Sequence, residues 1–495
     1  MTHLRPLMLG GTGSDVGKSI LTAGLCRIFL QDGYSPAPFK AQNMALNSFV
    51  TPDGLEIGRA QAVQAFAAGL DCTVEMNPVL LKPSSEMKAQ VVVMGLPEGC
   101  SEARQYFDAE GRERFRGIVE SAFHTLASRH NPIVMEGAGS IAELNLLDRD
   151  IVNMPMAEAA DAAVILVADI DRGGVFAQVY GSIMLLPERF RKRIKGVIIN
   201  KFRGDIGLFQ DGRRMIEELC GVPVVGVVPY FYDIDIEEED SLSVIKKNSA
   251  ATEKNLVNVA VTALPQMSNF TDFDFLARDP RVHLYFTSDS RELRRADVIL
   301  LPGSKNTISD LVFLRSNGCA EAIMDAAAAG KSVVGICGGF QMLGTTVSDP
   351  EGVEGKVKEV AGLGLLPIHT RLTTSKRLSR SQVSYPGSCE MLEGYEIHMG
   401  VSELADGAKP MFLRQDGSGE GCRVSDSLWG TYLHGIFDNP VVVDRLLRGS
   451  LERRGLPLKC GIEPMAAYRD RQYDLLASRL RECLDIPLIY KIMQT

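Results

Sequence analysis

Leu7-Met-Leu9 runs directly into Gly10-Gly-Thr-Gly-Ser-Asp-Val-Gly-Lys-Ser19, and from Ile20 the apolar residues take up helical spacing. An apolar strand, a glycine-rich turn and a helix start predict a phosphate cradle. Such a turn points several backbone N–H groups inward, and the helix dipole adds favourable potential for anions. The spacing assigns Gly11, Thr12, Gly13, Ser14, Asp15, Val16 and Gly17 to the cradle. Lys18 would neutralise the outer phosphates of a nucleotide, and the Ser19 hydroxyl would ligate Mg2+. Thr12 stands where the standard G-x-x-x-x-G-K-[ST] loop has its first glycine, so the loop is a variant.

Working outward, short apolar runs alternate with helical stretches from Leu7 to about Val228: Val91–Met94, Ile133–Met135, Val164–Ala168, Val197–Ile199 and Val224–Val228. Near-continuous apolar strands are buried on both faces, which predicts a mostly parallel sheet flanked by helices. Asp235–Asn255, with the acidic cluster Glu237–Asp240, reads as a linker. A second α/β series starts at Leu256, and a helical tail, Pro464–Leu484, closes the chain. The expected organisation is therefore α/β in two domains, residues 1–234 and 256–495, joined by 235–255. A length of 495 residues agrees, since single cores seldom exceed ~250–300 residues.

The second series holds Ser332-Val-Val-Gly-Ile-Cys337-Gly-Gly-Phe-Gln-Met-Leu-Gly344. A strand, a glycine-flanked turn and a helix start would lift Cys337 clear of the sheet, near a helix N-terminus that favours its thiolate. The N–H of Gly338 would face a developing oxyanion, with a second donor from Gly303 in Leu301-Pro-Gly-Ser304. The expected base is His434 in Trp429-Gly-Thr-Tyr-Leu-His434-Gly-Ile-Phe. His398, in Gly394-Tyr-Glu-Ile-His-Met-Gly400, competes for that role, although strand alternation favours a structural place for it.

The loop spacing resembles that of dethiobiotin synthetase and its relatives, which activate carboxyl or carbamate groups with ATP. The resemblance implies that Lys40, ending the second strand, sits over the reacting carboxylate. It implies that Asn200 reads the adenine edge. Glu136, at the C-terminal end of the Ile133–Met135 run, faces the loop as a natural Mg2+ ligand. The Cys337 region resembles the class I, or triad, glutamine amidotransferase domain, in which cysteine attacks the glutamine side-chain amide and ammonia leaves. One position departs from that pattern. The triad motif is His-x-Glu, and here Ile436 takes the third place, so His434 must be oriented by another group or by backbone. On that basis glutamine hydrolysis is expected to be slow unless the synthetase site is occupied.

Taken together, the chain resembles the cobyrinate/cobyric acid amidotransferases of cobalamin biosynthesis, on Phe39–Asn47, Ala168–Gly174, Ser268–Asp274 and Leu301–Thr307 as well as the two sites. This implies amidation of the b, d, e and g carboxylates of adenosylcobyrinic acid a,c-diamide, with ATP and glutamine consumed for each amide. Asp148, Asp150 and Arg172 (with Arg149) would position metal or corrinoid, or else are solvated loop charges. Rival readings are the a,c-diamide synthase of the same pathway, an amidoligase of cell-wall precursors, and a non-catalytic P-loop switch.

Composition sets outer bounds. Hydrophobic residues at 45% and charged residues at 23% describe an ordinary globular protein, and a net charge of −9 gives no electrostatic reason to expect nucleic acid. The ten cysteines form no C-x-x-C pair and no apolar run approaches the ~20 residues that span a bilayer, so a reduced, cytoplasmic enzyme is expected, without a membrane partner.

Overall fold

In a computed structural model the described residues are 2–85, 88–102, 109–237, 252–458 and 463–494. Most of the expected linker, 238–251 with three of its four acidic-cluster residues, lies outside them. The chain divides into two compact units: one holds residues up to Ala45, Glu56–Glu237 and those from Tyr468 onward, the other holds Leu46–Leu55 and 238–467.

The first unit is built on a six-stranded sheet in the order Val224–Pro229, Ile194–Phe202, Ala163–Asp169, Leu7–Gly11, Ile133–Glu136, Ala37–Phe39. Every pairing in it is parallel. The strand interiors are mainly apolar, as strands buried on both faces require. With all strands parallel, their C-terminal ends share one edge, where Gly11, Phe39, Glu136, Asp169 and Asn200 emerge. The Val91–Met94 run is an exception. It lies in the hairpin Lys88–Val93/Leu96–Glu102 of a separate four-stranded sheet, where Leu80 and Val92 pack with Ala45. Met94 (φ 46°) and Gly95 (φ 79°) form its two-residue turn, which a short apolar run does not reveal.

The second unit also has a six-stranded sheet: Val282–Thr287, Val257–Thr262, Val298–Leu301, Ser332–Ile336, Leu428–Thr431, Cys422–Arg423, parallel except for the last pair. Beside it the long antiparallel pair Ile368–Ser384/Leu392–Leu404 carries Leu433–His434 on its edge, with Tyr395 opposite His434.

The units depart from the expected boundaries at two places. Leu46–Leu55 belongs to the second unit: the Ser48 N–H donates to Asn269 Oδ1 at 3.1 Å, and Phe49 packs edge-on to Tyr395 at 4.7 Å. The tail, Met465–Cys483 and Ile486–Gln494, instead covers the first unit from Tyr468 onward. There Leu476, Leu480 and Ile489 join Leu21, Leu25 and Phe29 of the helix Lys18–Gln31 in one core. An amphipathic helix at a chain end carries no local mark of which core it will cover. No helix among the described residues is long and apolar enough to cross a membrane.

Candidate active sites

In the first unit the Gly-rich turn closes on itself. Lys18 Nζ donates to the carbonyls of Gly13 (3.0 Å) and Gly139 (3.1 Å), and a Cβ on Gly11 would stand 2.7 Å from that nitrogen. Only glycine fits there. Thr12, the departure from the standard loop, takes part in the sheet edge instead: its N–H donates to Val167 O at 3.0 Å, and it bridges to Ser140. Asp15 (φ 57°) and Gly17 (φ 94°) turn the chain into the helix, while Val16 is buried beneath it. Ser14 lies beside Gly139.

Four side chains converge on Glu136, which is 2% exposed. Ser19 Oγ donates to Glu136 Oε1 at 2.8 Å, and Lys40 Nζ donates to the same oxygen at 2.9 Å. Gln64 Nε2 donates to Oε2 at 2.6 Å, and Lys18 adds its charge. Burial alone would raise the acid's pKa; Lys40, Gln64 and Lys18 outweigh it and hold Glu136 below the usual carboxylate range. The sequence reading named Lys18, Ser19, Lys40 and Glu136, and the fold brings all four together. It missed Gln64, an amide inside a helix with no motif to mark it.

This group suits a hard cation. Among the described residues no three His, Cys, Asp or Glu side chains cluster, so a caged transition-metal site is absent there. A hydroxyl and a carboxylate stand together, and next to them is a buried carbonyl oxygen, Gln64 Oε1, with no hydrogen-bond partner. Such a partial oxygen set, completed by phosphate and water, fits Mg2+.

The other expected residues have surroundings of their own. Asn200 donates from Nδ2 to Val16 O at 2.8 Å, and a Cβ on Gly17 would stand 2.1 Å from that nitrogen. The amide therefore spends one of its two N–H groups bracing the loop from below. Asp150 accepts from the N–H groups of Val152 (2.7 Å) and Asn153 (3.0 Å), shaping a turn whose Asn153 side chain holds Ala138; burial raises its pKa. It does not reach Glu136. Asp148 and Arg149 are exposed, and Arg172 lies outside near Asp15 at 3.4 Å.

In the second unit Cys337 has φ 52° and ψ −108° between the strand Ser332–Ile336 and the helix Gly338–Leu343. A non-glycine residue in this region is strained, and the neighbours that hold it there leave no room for side chains. A Cβ on Gly339 would lie 2.1 Å from Leu301 O, and one on Gly338 would lie 2.7 Å from Ser304 N. The two expected oxyanion residues, Gly338 and Gly303, thus belong to backbone segments in contact. A Cβ on Gly303 would in turn stand 3.1 Å from His434 Cε1.

His434 is 1% exposed and its Nδ1 pairs with Asp272 Oδ2 at 2.7 Å, leaving the opposite side of the ring for Cys337, with which it interacts. The second Asp272 oxygen accepts from the Gly435 N–H at 2.8 Å. Burial would strip the imidazole of its proton; the charges of Asp272 and Cys337 prevail and push its pKa up to about 10. The carboxylate missing from position 436 is therefore supplied from 162 residues earlier in the chain, by the turn Phe270–Phe273. The group that orients His434 in place of a motif glutamate is therefore Asp272. The residue lay within a stretch already singled out, Ser268–Asp274, but nothing local tied it to His434.

His398 is no base here. Its Nδ1 faces Gly400 O at 3.0 Å, its Nε2 faces Glu396 at 3.2 Å, and its ring stacks on Tyr432 at 3.7 Å. It lines a cavity of about 560 Å³ with Phe340, Arg377, Glu396, Arg414 and Tyr432. Glu396 is the hub of the lining, receiving Arg414 at 2.9 Å and Arg377 at 3.1 Å; burial opposes its charge, but His398 and the two arginines hold its pKa down to about 2. Gln341, on the helix that follows Cys337, accepts from Thr307 at 2.8 Å and donates to Tyr432 at 3.3 Å.

Residues 7–244 match the CobQ/CobB/MinD/ParA nucleotide-binding domain, and 258–442 match the CobB/CobQ-like glutamine amidotransferase domain. The pairing defines the class: an ATP-dependent ligase that takes nitrogen from glutamine. The chain is 57% identical over 493 residues to cobyric acid synthase of Bacteroides fragilis, covering 99% of both chains. It is 55% identical to that of Phocaeicola vulgatus, again over 99% of both, and 50% identical to that of Photorhabdus laumondii, over 99% of this chain and 98% of the other. The chain belongs to the cobyric acid synthase family.

Proposed function

We propose that the two sites divide one reaction: the group around Glu136 activates corrinoid carboxylates with Mg-ATP, and Cys337, His434 and Asp272 release ammonia from glutamine. The observation that carries the second half is the 2.7 Å bond between His434 and Asp272 behind a cysteine at positive φ. In this reading Asp272 holds the imidazole in one tautomer and stabilises its charge, so His434 can take the Cys337 proton as the sulfur attacks. The Cys337 sulfur, its proton passing to His434, attacks the glutamine amide carbon, and the N–H groups of Gly338 and of the Gly303 strand receive the oxyanion. His434 protonates the leaving ammonia, and water then hydrolyses the glutamyl thioester. The cavity beside Tyr432 offers a carboxylate and two guanidiniums, chemistry complementary to the amino-acid head of glutamine.

In the first unit Gly11 to Gly17 would wrap the phosphates, Lys18 would neutralise them, and Ser19 and Glu136 would hold Mg2+. Bound there, the cation would neutralise phosphate charge. Lys40, pressed against Glu136, is placed to draw in the substrate carboxylate. That carboxylate attacks the γ-phosphorus to give an acyl phosphate and ADP; ammonia then displaces phosphate and leaves the amide. The acceptors are the b, d, e and g carboxylates of adenosylcobyrinic acid a,c-diamide, and Arg172, exposed beside Asp15 of the loop, would meet one of them. We place the enzyme in the cytoplasm, where ATP and glutamine are supplied.

The test is to incubate the protein with the a,c-diamide, Mg-ATP and glutamine and follow the corrinoid by mass spectrometry. Four successive amidations are expected. An unchanged corrinoid with continued ATP and glutamine turnover would assign the acceptor to another carboxylate.

A further inference from the structure

The helix Arg59–Ala67 packs against the helix Lys18–Gln31 and turns two glutamines, Gln61 and Gln64, into the interior. Both are at most 1% exposed. A buried carboxamide must place a carbonyl as well as an amino group, and an unmet partner is costly. Gln64 meets only half of that demand. Its Nε2 donates to Glu136 Oε2 at 2.6 Å and also lies 3.4 Å from Ser19 O. Both of those neighbours are acceptors, so turning the amide end for end would press its carbonyl against a carboxylate; the orientation is fixed by chemistry. Gln64 Oε1 therefore remains as a buried acceptor with no partner among the described residues, on the same amide group that grips Glu136.

The side chains nearest to hand do not answer it. The Ser19 hydroxyl and the Lys40 ammonium both donate to Glu136 Oε1, and the Lys18 ammonium donates to Gly13 and Gly139. A divalent cation would answer it. Hydroxyl, carboxylate and amide carbonyl are the hard, uncrowded oxygens that Mg2+ accepts while keeping positions for phosphate and water. We propose that Gln64 is a third protein ligand of the metal that accompanies ATP, giving Oε1 to the cation while Nε2 holds Glu136 in place. The proposal rests on the reading that Ser19 and Glu136 bind Mg-ATP.

The experiment titrates Mn2+ into the full chain with ADP present and reads free Mn2+ by electron paramagnetic resonance, for the parent protein and for Gln64→Leu, Gln64→Glu and Glu136→Ala. Loss of the ligand in Gln64→Leu should weaken Mn2+ binding about tenfold or more. Gln64→Glu keeps an oxygen at the position and adds charge, so it should bind Mn2+ more tightly than the leucine variant and gain more thermal stability from Mn2+ than the parent. If Gln64 only braces Glu136, the order reverses, because a second carboxylate pressed on Glu136 is worse than leucine. That reversal, or an unchanged affinity in Gln64→Leu, overturns the inference while leaving the Mg-ATP reading standing. Unchanged binding in Glu136→Ala would instead remove the reading itself, and the inference with it.

Discussion

The two sites are assembled in opposite ways. The loop Gly10–Ser19 draws the groups proposed to face phosphate from ten consecutive residues, because a strand-to-helix turn can satisfy an anion with its own backbone. The cysteine site takes Cys337 from one turn, His434 from a sheet edge and Asp272 from a short turn far upstream. A local site tolerates few changes in spacing and so is visible in sequence. A dispersed one only has to be right in space.

The largest expected effect breaks the comparison cleanly. Cys337→Ala should abolish glutamine-supported amidation, a loss of more than about 10³-fold, since the nucleophile has no substitute. Ammonium chloride should restore product through the unaltered first unit. Failure of ammonium to rescue, in a protein that still binds ATP, would mean that the two chemistries are not separable as described.

Next in size is Asp272→Asn. The asparagine keeps the shape but removes the charge and allows the wrong imidazole tautomer, so glutamine hydrolysis should fall by about 10²–10⁴-fold. The pH response has a definite sign. Asp272 helps lift the His434 pKa to about 10, so the imidazolium and its pairing are retained through neutral pH and lost as pH rises toward that value. Without the carboxylate that loss should move to lower pH, and the alkaline limb of the glutaminase profile should shift left. An unshifted limb would show that the dispersed site does not depend on its upstream member.

Much of this was legible, for physical reasons. Lys18, Ser19, Lys40, Glu136 and Cys337 each open a helix or stand at a strand's C-terminal end, and parallel sheets collect such ends on one edge, whereas His434 ends a short strand on an antiparallel edge. Asp272, Gln64 and the Glu396 hub were not legible, since their roles arise from contacts between elements remote in sequence. Asn200 is the instructive middle case. Its position at a strand end points to a site residue, and the close packing of Gly17 adds a bond to the loop that the strand end alone does not show.

Asn200→Ala sharpens that case with a smaller effect. It strands the Val16 carbonyl, a loss of about 1–3 kcal/mol if no water replaces the amide. The KM for ATP should rise by an order of magnitude or less, and GTP binding should weaken in the same proportion, because a loop brace does not read the base. A change in the ATP-to-GTP preference would place Asn200 at the adenine edge.

The smallest effect on catalysis belongs to the tail, and it tests which unit the chain end serves. Leu480 is fully buried and lies where a Cβ on Gly24, in the phosphate-loop helix, would stand 2.2 Å from its Cδ1. Gly24 is small because Leu480 fills that space. Leu480→Ala should cost about 2–5 kcal/mol of stability in the first unit, depending on how far the helices collapse into the gap. Near room temperature both activities should persist. On heating, ATP-dependent turnover should fail first and glutamine hydrolysis should outlast it, since the helix that loses support is the one carrying Lys18 and Ser19. Loss of glutaminase first would instead tie the chain end to the second unit's stability, against its packing with Leu21, Leu25 and Phe29.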